Sequence, residues 1–263
     1  MCRLLFLLNH GEQTNKNLIH SFLLQTLETP NQEFIQKTQI DTYTLHNKII
    51  KKHLDGFGFC WLENKKWNVY KNPVIYTEDK NLPKKIDKMV HSNVIIGHIR
   101  NKTIGDKTVN NTHPFYHKNM VFSHNGWVKD FANHKDKIIE KIDPKYKKFI
   151  KGETDSEYLF YLLVTCKDII EKRKKDKESV VLENTIALFL DVLRELELDI
   201  LANIIFATKN TCVIMRYSIQ PKNKKKTPLL LYYDDTDGLI ISTQPMTESS
   251  KLLKENSWIM IEL

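Results

Sequence analysis

The chain has 263 residues, of which 41% are hydrophobic and 27% charged, with a formal net charge of +8. A chain of this length buries a full core without disulfides or a metal, and the composition argues against extended disorder. The four cysteines (Cys2, Cys60, Cys166 and Cys212) form no CxxC pair, which argues against a disulfide framework and a thiolate zinc site. We therefore expect a reducing, cytoplasmic compartment.

The positive charge does not predict a nucleic-acid partner. The lysines fall into separate clusters, such as Lys172 to Lys177 and Lys222 to Lys226, with no interleaved aromatic residues and no recognisable nucleic-acid module around them. The apolar run Leu4 to Leu8 is too short for a signal peptide, and no stretch approaches the roughly 20 apolar residues of a membrane span. We expect neither a nucleic-acid nor a membrane partner.

The first half of the chain predicts strands interrupted by short helices. The predicted elements are a buried strand over 2–8, a helix over 18–27, a hairpin of 57–62 and 67–70, a helix over 83–91, and strands over 93–100 and 120–128.

The second half predicts two long helices followed by strands. Apolar residues at helical spacing cover 155–175 and 180–199, with 174–178 as the connection. Hairpins over 203–218 and 228–243, with turns at Lys209-Asn210 and 235–238, precede a last strand over 257–263. This order predicts a single α+β domain with antiparallel sheets packed on each other and on helices. No glycine-rich phosphate loop is present.

Polar residues concentrate where predicted strands end, and each of them has a structural and a functional interpretation. Asn125-Gly126 is the usual signal for a type I′ turn, or it could form an oxyanion hole from the Asn side-chain N–H and the Gly backbone N–H. Arg100 could be a surface ion-pair partner or could grip a carboxylate with two N–H bonds. Asp155 could cap the following helix, a duty that Thr154 could share, or neutralise a ligand ammonium.

Four histidines (His98, His113, His117 and His124) raise the possibility of a metal site. His113 and His117 have helical spacing, but Pro114 disfavours a helix there, and no H-E-x-x-H motif accompanies them. We predict no metal ligand set and no cofactor. A metal-dependent hydrolase that uses these histidines stays as an alternative, which chelation would test.

Taken in order, these motifs resemble the class II glutamine amidotransferases, which are N-terminal-nucleophile (Ntn) hydrolases. The resemblance rests on Met1-Cys2-Arg3, "DGFGF" at 55–59, "GHIR" at 97–100, "NTHPF" at 111–115, "HNG" at 124–126 and "TDSE" at 154–157. It implies an α+β fold, the four-layer αββα sandwich, with two mainly antiparallel sheets between helix layers, spanning residues 2–263 as a single domain. The stand-alone members, such as the γ-glutamyl peptidase subunit of glutathione degradation, are the most similar.

The resemblance implies a role for each candidate residue. Met1 is removed, and the Cys2 thiolate attacks the substrate's side-chain carbonyl, with its own α-amine as base. Asn125 and Gly126 correspond to the oxyanion hole, and Arg100 and Asp155 to the groups that hold the α-carboxylate and α-ammonium. Two further positions, Thr103 and His113, correspond to supporting pocket residues.

Two departures from the family pattern concern the pocket. Asn101 and Lys102 stand where transferase-linked members have an aromatic and a small residue, and Gln244 stands where stand-alone members usually have a glutamate. The motif fixes the glutamyl half of a small-molecule substrate and leaves the leaving group open.

We expect no synthetase or phosphoribosyl domain after Leu263, which favours hydrolysis of γ-glutamyl amides or a partner peptidase or synthetase subunit. Two alternatives remain. The chain could be a glutaminase subunit that passes ammonia to a separate synthetase, or a catalytically inactive binding subunit.

Overall fold

The computed structural model describes residues 2–26, 53–173, 176–219 and 228–263. Three features of the sequence analysis lie outside these ranges: Leu27 at the end of the first predicted helix, residues 174–175 of the predicted helix connection, and the lysine cluster Lys222 to Lys226. The described strands are β1 (Arg3–Leu8), β2 (Phe57–Glu63), β3 (Lys66–Asn72), β4 (Val94–Ile99), β5 (Phe115–His117), β6 (Met120–Val128), β7 (Ile200–Ala207), β8 (Thr211–Ile219), β9 (Leu231–Asp235), β10 (Gly238–Ser242), β11 (Lys251–Leu252) and β12 (Ser257–Glu262). The described α-helices are α1 (Glu12–Leu24), α2 (Leu82–Met89), α3 (Phe131–Lys141), α4 (Pro144–Lys147), α5 (Asp155–Arg173) and α6 (Glu178–Glu195).

The strands form two antiparallel sheets. The seven-stranded sheet has the order β11-β9-β10-β1-β4-β2-β3, and the five-stranded sheet has the order β12-β8-β7-β6-β5. β1 is central in the first sheet and pairs with β4 from Arg3 opposite Ile99 to Leu8 opposite Val94. This register places the residues before Arg3 and after Ile99 at the same end of the sheet.

Three apolar clusters divide the molecule into four layers. Leu5 and Leu7 of β1 pack with α1 and α2 on the outer face of the first sheet. Leu4 and Phe6 point the other way, toward β6, β7 and β8, because successive side chains of a strand alternate between faces. On the far side, α3 to α6 cover the second sheet. The α+β fold and the αββα layering expected from the resemblance are thus confirmed.

Several sequence predictions need correction. α1 begins at Glu12, six residues before the predicted start at Leu18. Its early core-facing position is Asn15, whose buried Nδ2 donates to the carbonyls of His10, Val90 and Ser92, so hydrophobic periodicity missed it. The prediction also missed β5, β11, α3 and α4; α3, for example, buries little more than Phe131 and Ile138 within a highly charged segment.

The hairpins β7–β8 and β9–β10 agree with the two hairpins predicted over 203–218 and 228–243. No α-helix within the described ranges has the length and apolar character needed to cross a bilayer.

Candidate active site

Cys2 lies immediately before β1, and its thiol contacts the residue that follows Arg100. Because Arg3 pairs with Ile99, Cys2 and Arg100 are the next residues at this end of the two strands. The backbone N–H of Asn101 donates to Cys2 Sγ at 3.3 Å, and Sγ lies 3.6 Å from the Asn101 carbonyl oxygen. Sequence reasoning did not find this contact, because it involves only the backbone of Asn101.

Opposing influences act on the Cys2 thiol. Burial raises the pKa of Cys2, and the negative charge of Asp155 acts in the same direction. The Asn101 N–H and the positive charge of Arg100 oppose this rise in pKa, because both stabilise the thiolate. The structure therefore brings Arg100 and Asp155, of opposite charge, into the electrostatic environment of one thiol.

The Arg100 guanidinium closes the loop that follows it. Nη1 donates to the carbonyl of Asp106 at 2.9 Å, and Nη2 donates to those of Ile104 and Gly105 at 2.9 and 3.1 Å. Burial lowers the pKa of Arg100. Thr103, a predicted pocket residue, is exposed in this loop. In this structure, loop carbonyls therefore occupy most of the Arg100 N–H groups that were predicted to bind a carboxylate.

Asp55 of the "DGFGF" motif anchors the same loop. Its Oδ2 accepts from the Lys102 backbone N–H at 2.8 Å, and its Oδ1 lies 3.3 Å from Lys107 Nζ. The motif supported the family resemblance, but no role was predicted for its aspartate. Its position in an otherwise apolar and glycine-rich motif was the available signal.

Asp155, the first residue of α5, is buried and fixes the end of β6. Its Oδ2 accepts from the Val128 backbone N–H at 2.8 Å. Its Oδ1 accepts from the backbone N–H and hydroxyl of Ser156 at 2.7 and 3.2 Å. Asp155 thus bonds the amide of the next helix residue and also ties the helix to the second sheet.

Asn125 and Gly126 lie inside β6, opposite Asn203 and Ala202 of β7, so the type I′ turn reading is wrong. A Cβ on Gly126 would lie 1.8 Å from the Leu201 carbonyl oxygen, so the close approach of β7 alone requires glycine here. Asn125 is buried, and its Oδ1 has no hydrogen-bond partner among the described residues. β6 contacts β1 across the sandwich.

His113 lies in the interior, stacked on His98 with ring centroids 4.1 Å apart. Burial holds its pKa well below the usual value, and neither ring nitrogen has a hydrogen-bond partner within the described ranges. It therefore packs against another buried histidine. The described residues contain no group of three His, Cys, Asp or Glu side chains arranged to hold a metal ion.

A match to the family model for class II glutamine amidotransferases covers residues 31–217, more than half of the chain. The chain belongs to this family. A probable glutamine amidotransferase of Saccharomyces cerevisiae is 27% identical over 205 residues, which cover 74% of this chain and 55% of that protein. A putative glutamine amidotransferase of Haemophilus influenzae is 29% identical over 135 residues, covering 48% and 42%. The chain spans about half the length of these two relatives.

Other matches extend over a smaller share of the relative or concern the fold. A probable glutamine–fructose-6-phosphate aminotransferase of Acanthamoeba polyphaga mimivirus is 30% identical over 129 residues, which cover 44% of this chain and 20% of that protein. A glutamine aminotransferase class-II domain protein from Silicibacter pomeroyi superposes with a TM-score of 0.60 at 20% identity, covering 99% of this chain and 94% of that one. These findings confirm the family and the Ntn-type fold.

Proposed function

We propose that the chain hydrolyses the γ-amide bond of glutamine or of a γ-glutamyl compound through a thioester on Cys2. The observation that supports this best is the position of the Cys2 thiol, which accepts a hydrogen bond from the Asn101 N–H directly after Arg100. The positive charge of Arg100 lowers the pKa of this thiol, and the negative charge of Asp155 raises it. An α-amino acid head group carries the two complementary charges.

The nucleophile in this proposal is Cys2 after removal of Met1. A free α-amine has a pKa of about 7.7 to 8.0 and a thiol about 8.5, so proton transfer from the thiol to the amine of the same residue is nearly balanced near neutral pH. Burial raises the thiol pKa, which the Asn101 N–H and Arg100 counteract. One residue then supplies both the nucleophile and its base.

Arg100 and Asp155 would hold the substrate's α-carboxylate and α-ammonium. Asp155 accepts three hydrogen bonds from Val128 and Ser156, and a carboxylate has about four acceptor positions, so one remains for an ammonium. At Arg100, a substrate carboxylate would exchange with carbonyls of the 104–106 loop, because those carbonyls occupy both Nη atoms. Substrate binding in this proposal therefore moves residues 104–106, which directly follow Thr103.

The chemistry proceeds in two stages. The thiolate attacks the γ-carbonyl carbon, and Asn125 Nδ2 and the Gly126 N–H stabilise the oxyanion. The C–N bond breaks, the leaving ammonia or amine takes the proton held by the α-amine, and a thioester remains. Water then attacks the thioester, giving the γ-carboxylate and restoring the thiol. The buried position of Asn125 favours this role, because a hydrogen bond inside a protein is electrostatically stronger than one in water.

We further propose that residues 2–263 form one domain of this type, acting in the cytoplasm on a γ-glutamyl peptide or amide, alone or with a partner peptidase subunit. The resemblance to stand-alone members supports this substrate class. His113 would contribute by packing beneath the pocket, next to His98.

A second candidate is a glutaminase subunit that passes ammonia to a separate synthetase. The similarity to a probable glutamine–fructose-6-phosphate aminotransferase favours it, because that relative is named as an aminotransferase that uses glutamine.

A substrate panel decides between these candidates. Glutamine, glutathione and γ-glutamyl-p-nitroanilide would be incubated with the protein and with Cys2→Ala, and ammonia, amine and glutamate measured. Turnover of γ-glutamyl amides well above that of glutamine supports the first proposal, and the reverse supports the second. Loss of Met1 in the intact mass should accompany turnover. A retained Met1 with no turnover of any substrate would instead indicate an inactive binding subunit.

A further inference from the structure

Three histidines at the active-site end of the sandwich take no part in the proposed chemistry. His98, His113 and His124 are all buried. A polar ring nitrogen inside a protein is unfavourable unless it forms a hydrogen bond, so the bonds that these rings do form are informative.

His98 forms a hydrogen bond from one sheet to the other. Its Nε2, on β4, lies 3.2 Å from the backbone carbonyl oxygen of His124, on β6. A carbonyl can only accept, so Nε2 carries the proton, and Nδ1 is the bare nitrogen. The carbonyl belongs to the peptide that joins His124 to Asn125. The bond therefore acts directly on the backbone that carries Asn125.

The ring of His124 contacts helix α5, in addition to the contact of its backbone carbonyl with β4. Its Nδ1 lies 2.9 Å from Ser156 Oγ on α5, and its Nε2 lies 3.4 Å from the carbonyl oxygen of Leu201. Ser156 also bonds Asp155 through its N–H and hydroxyl. Because the Ser156 hydroxyl donates to Asp155, the single N–H of the neutral His124 ring lies on Nδ1 and donates to Ser156 Oγ. Residue 124 is consequently fixed by its carbonyl to the first sheet and by its ring to the helix.

We propose that His98 is a positioning residue, whose Nε2–H fixes the His124–Asn125 peptide and so directs the Asn125 amide and the Gly126 N–H at the reacting carbonyl. This rests on the proposed function, in which these two groups form the oxyanion hole. Donors aligned before the reaction need no reorganisation as charge develops, and a misplacement of about 1 Å can lower a rate about 10²-fold.

Two properties of His98 suit this task. Its ring stacks on His113, with an angle of 27° between the ring planes, which restricts rotation of the imidazole. Burial lowers the pKa of His98 to about 3, so the ring stays neutral near neutral pH and brings no charge beside the oxyanion.

The first test compares His98→Leu with His98→Gln. The amide nitrogen of glutamine can occupy roughly the place of the imidazole Nε2, whereas leucine offers no donor. We expect His98→Leu to lower kcat about 10- to 100-fold with little change in KM, because Arg100 and Asp155, which would bind the substrate's α-carboxylate and α-ammonium, are unchanged. His98→Gln should recover most of this loss.

His117→Phe is the matched control, because His117 is also buried but packs on Tyr146, Phe149 and Tyr161. Its kcat should equal that of the wild type. An equal loss of kcat in His117→Phe and His98→Leu, or a rise in KM at unchanged kcat, would overturn the proposal in favour of a general effect on folding or binding.

A double-mutant cycle with Asn125→Ala tests the route. If His98 acts through Asn125, adding His98→Leu to Asn125→Ala should lower kcat by clearly less than it does in the wild type. Full multiplication of the two factors would overturn the proposal.

A readout independent of turnover separates this inference from the proposed function. In ¹H–¹⁵N spectra, His98 should be the Nε2–H tautomer, and His98→Leu should shift the Asn125 backbone amide. A wild type that hydrolyses no substrate overturns the proposed function and the catalytic role together. An active wild type with an unshifted Asn125 amide, or with full kcat in His98→Leu, overturns the inference alone.

Discussion

Arg3 and Gln244 face each other where β1 meets the segment after β10. With its amide oxygen turned toward β1, Gln244 accepts from Arg3 Nη2 at 2.7 Å and from Nε at 3.2 Å. The stand-alone members that the chain resembles usually have a glutamate at this position. Burial lowers the pKa of Arg3 to about 10, so the guanidinium remains charged at neutral pH with a neutral amide as its partner.

This pairing predicts that Gln244→Leu destabilises the fold. The substitution removes the acceptor of a mostly buried cation, which should lower the free energy of unfolding by about 1 to 3 kcal/mol in urea titrations. Gln25→Leu is the control, because Gln25 is equally buried but has no described bond to a charged group: its Nε2 donates to Met246 Sδ, and its Oε1 has no described partner. A loss in Gln25→Leu as large as in Gln244→Leu would show that the Arg3 contact contributes little.

Cys2→Ala should abolish turnover and the thioester. No other group in the proposed site can form the covalent intermediate, so less than about one part in 10³ of the wild-type kcat should remain, consistent with loss of an entire nucleophilic route. The measurement is intact mass after rapid quenching with substrate, alongside steady-state rates. Cys166→Ala, a buried cysteine of the α5 core, should keep full kcat and form the acyl-enzyme. Turnover by Cys2→Ala would contradict the proposal.

The sequence predicted the fold class because alternating and helical apolar patterns match the layers. β1 is an example: Leu4 and Phe6 pack between the sheets, and Leu5 and Leu7 pack under the helices. Prediction was weakest where polar residues occupy buried positions in the core. The first half of α1 was missed because Asn15, although buried and bonded to three carbonyls, is polar and therefore looks like a surface residue in the hydrophobic pattern.

The candidate site was predicted residue by residue but not in its connections. Each role came from a motif, whereas the link between His98 and the His124 carbonyl depends on the stacking of two sheets. No local pattern encodes that distance. The occupation of Arg100 by carbonyls of its own loop is similarly a property of the folded backbone.

Asp155→Asn should raise KM and also destabilise the protein. The amide keeps one acceptor, but its NH₂ group must face a donor, the N–H of Val128 or of Ser156, and the charge for a substrate ammonium is lost. We expect KM to rise at least tenfold and the free energy of unfolding to fall by about 1 to 3 kcal/mol. Asp168→Asn, near the other end of α5, should leave KM unchanged. Wild-type KM in Asp155→Asn would exclude the ammonium role.

Because His98 is buried and neutral, we expect the free energy of unfolding to fall at acidic pH. Burial lowers the pKa of His98 to about 3, below the value of about 6.5 expected in the unfolded chain. As the pH falls below 6.5 the unfolded chain takes up the proton first, so this contribution is complete above pH 6.5 and is lost progressively toward pH 3.

By pH 5 His98 alone accounts for a loss of about 2 kcal/mol. Urea unfolding of His98→Gln at pH 7.5 and pH 5 should show a pH-dependent difference smaller than the wild type by that amount. His20→Gln, at an exposed position of α1, should retain the wild-type difference. An unchanged difference in His98→Gln would mean that folding does not shift the pKa of His98.

Gly126→Ala should destabilise the protein, because the new methyl group would lie 1.8 Å from the carbonyl oxygen of Leu201 and 2.6 Å from Nε2 of His124. The carbonyl is backbone in a neighbouring strand and cannot turn aside, so β6 and β7 must separate locally, at about 1 to 3 kcal/mol or more. The measurement is thermal and urea unfolding. Gly11→Ala is the matched control, since a Cβ there meets nothing within 4 Å and its φ is −68°. If Gly126→Ala keeps wild-type stability but loses activity, the need for glycine lies in the approach of the substrate and not of β7.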